Sequence, residues 1–253
     1  MKNLKKVEYL PLTVLAFGIL GLALRRLLYA FAVDEKNLLV SGHPLETALW
    51  AVVLAGVAVI VLFVRKLDGS NAYEDNFGPS AVAALGHFLM GYSILMLVLL
   101  DEPGMPGRIG TVWQVMGFVT APALVWAGFC RLKGKKPFFL IHGLTSVFLL
   151  LHVVTHYQHW SGNPQLQDYV FDLFAAVMLM LFSYYAAAFE AGMGKRRMQL
   201  ATGLLALLLC GVSLSGTEFP GLYVSGSVWA AADLCRLMPK PKPRESEGTD
   251  EAS

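Results

Sequence analysis

Three histidines near the end of one apolar stretch have the spacing of a metal-binding helix face. His152, His156 and His159 recur at i, i+4 and i+7, which places them within about 60° of one another around a helix. Imidazole nitrogens bind divalent metals, and two histidines four residues apart occur in helical zinc sites. Asp168 follows after a short loop and adds a carboxylate. These four residues are a candidate metal site, and the alternative is an interfacial cluster of histidines in an aromatic belt.

A second set of polar residues lies within apolar stretches, where charge is costly. Ionisable groups at membrane depth usually face the interior of a bundle or a water-filled cavity. Arg25, Asp101, Gln114 and Asp172 are at similar depth on four different stretches. They predict an outward-facing pocket that binds a small solute, an ion or a lipid headgroup. The alternative is a structural ion pair of Arg25 with Asp172 or Asp101, without any ligand.

Two further histidines occupy matching depths on different stretches. His87 and His142 have the minimum arrangement for a bis-histidine haem. Histidines on apolar helices more often hydrogen-bond within the core, so haem is the disfavoured interpretation. Asp233 precedes Arg236 by three residues, which predicts a local ion pair between them.

The elements that must position these residues are membrane-spanning helices. Hydrophobic residues make up 56% of the chain and charged residues 15%, against about 25% charged in soluble domains. A helix needs roughly 20 apolar residues to cross the hydrocarbon layer. The prediction is an all-α, polytopic bundle of eight transmembrane helices: Tyr9–Val33, Thr47–Val64, Ala81–Leu100, Thr111–Cys130, Phe138–His156, Tyr169–Phe189, Gln199–Ser215 and Leu222–Met238. The last two are the shortest, and if they do not cross, the bundle has six spans plus a hairpin.

The distribution of basic residues predicts the orientation. Sixteen of the 20 Lys and Arg residues fall at the chain ends or in alternate loops on one side. Cytoplasmic loops carry the excess of Lys and Arg, so both termini are expected in the cytoplasm. Residues 1–238 then form one transmembrane domain. The segment 239–253, rich in proline and charge, is expected to be a disordered cytoplasmic tail.

The sequence excludes several classes of function and leaves three open. It has no nucleotide-binding loop, serine nucleophile elbow or dinucleotide fingerprint, and its basic residues follow the insertion rule, so nucleic acid is not expected as a partner. The leading hypothesis is a multi-pass protein of the bacterial cytoplasmic membrane that binds or moves a small solute. The alternatives are a metal-dependent membrane enzyme, for which a divalent metal would be the cofactor, and a structural subunit that packs against a partner membrane protein.

Overall fold

The computed structural model describes residues 9–32, 39, 42–65, 67, 70–100, 108–160 and 169–237, without the side chains of 158–160 and 236. Within these ranges the chain folds into helices joined by short connections. One helix, Tyr73–Asn76, is a single turn. The eight long helices are α1 (Leu10–Phe31), α2 (Pro44–Val64), α3 (Ala81–Leu100), α4 (Arg108–Leu132), α5 (Leu140–Trp160), α6 (Val170–Glu190), α7 (Arg196–Ser213) and α8 (Pro220–Leu237).

Six of these helices, α1 to α6, are long and apolar enough to cross a membrane. Length and composition therefore indicate a membrane-embedded, multi-pass protein. The expectation of an all-α bundle is confirmed in this coarser form. The full count of eight spans stays a prediction, since α7 and α8 are less apolar than the other six.

The hairpin of α7 and α8 lies inside the bundle. Helix α7 packs against α1, α2, α6 and α8, and α8 packs against α1, α3, α6 and α7. Thirteen of the 18 residues of α7 are buried, compared with six of 22 in α1. A helix that other helices surround can carry polar residues, because those residues meet protein instead of lipid.

Local signals explain where the helices begin and end. At the start of α2, His43 Nδ1 accepts a hydrogen bond from the Leu45 amide at 3.2 Å, which caps an amide that has no partner within the helix. At the end of α6, Gly192 adopts a φ of 82°. The Met193 amide donates to the Ala188 carbonyl at 2.8 Å, as in a Schellman motif that closes a helix.

The observed helices differ from the predicted spans mainly at their ends. Helix α5 continues to Trp160, four residues beyond its predicted end. Helix α8 begins at Pro220, two residues before its predicted start, because proline is well suited to the first helical position. The predicted tail from residue 239 lies outside the described residues.

Two glycines provide a matched test of the packing between α3 and α8. A Cβ atom on Gly86 would lie 2.8 Å from the Trp229 Cα, a backbone atom that cannot rotate away. We expect Gly86→Ala to lower the free energy of unfolding by about 1–3 kcal/mol, as overpacking typically does. Gly143→Ala is the control, since its Cβ would meet nothing within 4 Å. Chemical denaturation in mixed micelles measures both, and equal stability of the two variants would contradict the close helix contact.

Candidate functional site

A buried ion pair joins α1 to α6. Arg25 Nη1 lies 3.1 Å from Asp172 Oδ1, and the two side chains are 2% and 1% exposed. Arg26, the next residue, is exposed. The inward face of Arg25 therefore agrees with the sequence interpretation, and of the two partners considered in the structural alternative, Asp172 contacts Arg25. We call the end of the bundle that holds this pair the Arg25 end.

The same guanidinium also caps the central helix α7. Arg25 Nη1 lies 3.4 Å from the Val212 carbonyl and 3.3 Å from the Ser213 carbonyl. These are among the last carbonyls of α7, which lack partners within the helix and carry partial negative charge. Arg25 Nη2 also reaches the Tyr29 hydroxyl at 3.4 Å. One side chain thus fixes α1, α6 and the end of α7 together.

The Asp172 carboxylate is only partly used by this arrangement. The backbone carbonyl of Asp172 accepts a hydrogen bond from the Tyr223 hydroxyl at 3.0 Å. Ser213 and Thr217 lie beside the carboxyl group of Asp172. The second oxygen, Oδ2, makes no hydrogen bond within the described residues, and neither does the buried Ser213 hydroxyl. Buried polar atoms usually have partners. The Ser213 and Thr217 hydroxyls are near enough to reach this carboxylate, so a ligand at Oδ2 would compete with them. We call Arg25, Tyr29, Asp172, Ser213 and Thr217 the outer polar site, after the side of the membrane on which the sequence predicts Arg25 and Asp172.

Two of the predicted metal ligands lie at the same end. The rings of His152 and His156 have centroids 4.0 Å apart, and both side chains are buried. They pack against Trp113 of α4 and against Phe219, which precedes α8. His156 Nδ1 lies 2.9 Å from the His152 carbonyl, whereas neither ring nitrogen of His152 has a hydrogen-bond partner within the described residues.

A pocket of about 280 Å³ opens beside the connection between α7 and α8. Its lining includes Ser93, Leu97, Glu218, Phe219 and Leu222. Phe219 thus separates the pocket from the histidine pair. The connection between α7 and α8 therefore meets the outer polar site, the histidine pair and the pocket.

Of the remaining predicted site residues, only Gln114 has a described side chain, and it is not brought into this group. Gln114 is half-buried on α4 and, within the described part of the chain, makes no hydrogen bond with Arg25 or Asp172. Asp101 and Asp168 lie outside the described residues, as does the side chain of His159. Among residues that are described, no group of three or more His, Cys, Asp or Glu side chains is placed to hold a metal.

Comparison with protein-family models, with curated proteins and with solved structures finds no match for this chain. The geometry of its own residues therefore carries the functional argument.

The opposite end of the bundle, which we call the Glu190 end, contains a second buried ion pair. Arg131 Nη2 of α4 lies 2.6 Å from Asp233 Oδ1 of α8, and both side chains are 3% exposed. Asp233 thus faces α4 across the bundle, whereas the side chain of Arg236, its expected local partner, lies outside the described residues. Arg131 also stacks over the Phe77 ring at 4.4 Å. Burial raises the pKa of Tyr73, a neighbour of Arg131, to about 12, although the guanidinium opposes this shift, so the phenol stays neutral.

The two core histidines belong to the Glu190 end. His87 Nε2 lies 3.1 Å from His142 Nε2, and His142 Nδ1 lies 2.8 Å from Glu190 Oε1. Because the two Nε2 atoms contact each other directly, they do not present the bis-histidine arrangement considered for haem. The interpretation as hydrogen-bonded core histidines agrees with these contacts.

Sequence reasoning missed the role of Arg131, which was counted only as a basic residue at a helix end. Its helix face carries a signal that could have revealed it. Gly117, Ala121 and Gly128 share that face, and a face of small residues packs against other helices. A charge that continues such a face points into the bundle.

Arg25 and Asp172 can be tested for mutual dependence. Removing either partner leaves the other charge buried alone, so we expect Arg25→Met and Asp172→Leu each to cost about 3–5 kcal/mol in free energy of unfolding. The double variant should lose much less free energy of unfolding than the two single variants added together. It still loses some, because it lacks the Arg25 guanidinium that caps α7. Arg26→Met is the matched control and should be nearly neutral. Chemical denaturation in mixed micelles gives the four values, and additive losses would contradict a direct interaction.

Proposed function

We propose that this protein is an eight-span bundle of the cell membrane, with both termini in the cytoplasm, that binds a small polar solute or ion at the outer polar site and moves it across the membrane. The observation that carries the proposal is the environment of the Asp172 Oδ2 atom. This oxygen is buried, belongs to a carboxylate at membrane depth, and has no hydrogen bond within the described residues.

The topology rests on helix length and on charge. Helices α7 and α8 have 18 residues each, which corresponds to about 27 Å at 1.5 Å per residue and approaches the roughly 30 Å hydrocarbon layer. Basic residues of the connections collect on the Glu190 end, as expected for the cytoplasmic side. On this assignment the Arg25 end faces outward.

The chemistry of the site favours a ligand that donates hydrogen bonds or carries positive charge. Arg25 already occupies Asp172 Oδ1, and the remaining carboxylate oxygen can only accept while it is ionised. The Ser213 hydroxyl can both donate and accept. A small monovalent cation, an ammonium group or a hydroxylated headgroup has the complementary chemistry.

The metal-dependent enzyme stays as a second candidate because of the histidine pair. His156 Nδ1 lies against a backbone carbonyl, a contact that orients the other nitrogen of a metal-binding histidine. His152 contributes two buried nitrogens without partners in the described part of the chain. Two imidazoles are fewer protein ligands than the three or four of zinc sites, so this candidate depends on His159 or Asp168.

One binding experiment distinguishes the two candidates. The purified chain in lipid nanodiscs is heated with sodium, potassium, ammonium, ethanolamine, zinc or manganese, and the midpoint of unfolding is recorded. A ligand present at 100 times its Kd adds about 2.7 kcal/mol to the native state. We expect one of the first four probes to raise the midpoint for the wild type and not for Asp172→Asn. Asp75→Asn, which removes an exposed carboxylate, is the control and should respond like the wild type.

The other outcomes are equally informative. A response to zinc or manganese that His156→Ala removes and Asp172→Asn retains would favour the metal site. A response to a monovalent probe that persists in Asp172→Asn would contradict the proposal, as would a wild type that responds to none of the probes. The ion pair would then have a structural role.

A further inference from the structure

The contacts of His87 fix the position of its ring proton. His87 Nδ1 lies 2.7 Å from the Ala83 carbonyl, which can only accept, so Nδ1 carries hydrogen. The indole nitrogen of Trp229, which can only donate, lies 3.3 Å from His87 Nε2. His87 is therefore a neutral imidazole whose Nε2 accepts.

This assignment determines the protons of His142. Its Nε2 lies 3.1 Å from the accepting His87 Nε2, so it must be an N–H donor, and it shares the one lone pair of that nitrogen with the Trp229 N–H. If His142 were neutral, its Nδ1 would then present a lone pair to the Glu190 carboxylate at 2.8 Å, and two acceptors at that distance repel. The contact is attractive when a proton is present, either on Nδ1, which makes an imidazolium paired with a carboxylate, or on Glu190. The two atoms are close but not aligned as a hydrogen bond, so a proton that passes between them requires a rotation of the Glu190 carboxyl group or of the His142 ring.

The opposite assignment breaks two contacts. If His142 donated from Nδ1 to Glu190, its Nε2 would accept and His87 Nε2 would have to donate. The Trp229 N–H would then face another N–H. A His87 with its one proton on Nε2 would also present a lone pair to the Ala83 carbonyl. Only a doubly protonated His87 avoids the second conflict, and that state again requires one additional proton.

We propose that Glu190, His142 and His87 bind one exchangeable proton at the Glu190 end of the bundle, and that it passes between Glu190 and His87 through His142. In this transfer the O–H bond of Glu190 breaks as an N–H bond forms at His142 Nδ1. The N–H bond at His142 Nε2 breaks as one forms at His87 Nε2. Glu190 becomes a carboxylate, His142 stays neutral and His87 becomes an imidazolium, so the total charge is unchanged.

Neighbouring groups bias where the proton resides. Burial disfavours a charged imidazole, and near the buried His87 lie Asp233 of α8, which attracts a proton, and Arg131 of α4, which repels it. Around Glu190 lie Cys130 of α4 and the neutral phenol of Tyr73. Trp229 favours the neutral His87, because the indole N–H loses its acceptor when Nε2 is protonated. Glu190 is the last residue of α6 and precedes the exposed turn at Ala191 and Gly192, which gives the proton a short route to solvent.

This proton site does not depend on the outer polar site. It lies at the other end of the bundle and shares no residue with it. A failure of solute binding would therefore leave the proton assignment unaffected.

Nitrogen NMR of the ring atoms tests the assignment directly. The full chain is labelled with ¹⁵N-histidine in nanodiscs and titrated with pH, and its six histidines are assigned by single His→Gln variants. Near neutral pH we expect His87 to carry a single ring proton, at Nδ1. We expect His142 to carry either two ring protons or one at Nε2, and in the second case Glu190 is protonated, which infrared spectra detect. As pH rises, both rings should respond to the loss of one proton as a coupled pair. Rings that titrate independently would overturn the proposal, as would a His142 with one proton on Nδ1 throughout.

Two variants sharpen the test. Glu190→Gln should remove the shared proton, so that His142 carries only one ring proton at pH values at which the wild type still binds the additional proton. Glu74→Gln, at an exposed position, should change nothing. Trp229→Phe removes the donor that competes for His87 Nε2, so the proton should move toward His87 and both of its nitrogens become protonated. A Glu190→Gln variant in which His142 or His87 still binds the additional proton would contradict the relay, as would a Trp229→Phe variant in which His87 keeps a single ring proton.

Discussion

The absence of water in a bilayer core governs this structure, because every polar group at membrane depth must find its partner in the protein or in a bound ligand. Helices α7 and α8 carry much of the buried polarity and are surrounded by other helices. Arg25 satisfies the last carbonyls of α7 at one end, and Arg131 pairs with Asp233 of α8 at the other. The apolar helices α1 to α6 therefore supply both the lipid-facing surface and the charged groups that hold the central hairpin.

Helix α8 contacts both polar regions. Tyr223 donates to the backbone of Asp172, and Trp229, six residues later, donates to His87. Six residues of helix correspond to about 9 Å, so one rigid element joins the outer polar site to the proposed proton site. A shift of α8 would change both sets of contacts together, which is a physical basis for coupling solute binding to protonation.

Composition and helix periodicity predicted the all-α membrane fold, because the length of an apolar helix is set by the thickness of the bilayer. They also predicted that Arg25 points inward, since helical spacing determines which residues share a face, but they left its partner open between Asp172 and Asp101. The contacts of Arg131 with Asp233, and of His87 with His142, required knowledge of which helices are neighbours. Helices α4 and α8, or α3 and α5, are not consecutive, and periodicity within one helix carries no information about such pairs. The outer pocket predicted from Asp101 and Gln114 stays a prediction.

The central claim is that the α7–α8 hairpin crosses the membrane and separates two polar sites on opposite sides. Single cysteines at Glu218 and at Met193, introduced after replacement of Cys130, Cys210 and Cys235, test it with a membrane-impermeant maleimide. Both positions are exposed in the structure. The account predicts that Glu218→Cys is labelled on intact cells and Met193→Cys only in inside-out vesicles. Labelling of both cysteines from the same side would contradict it.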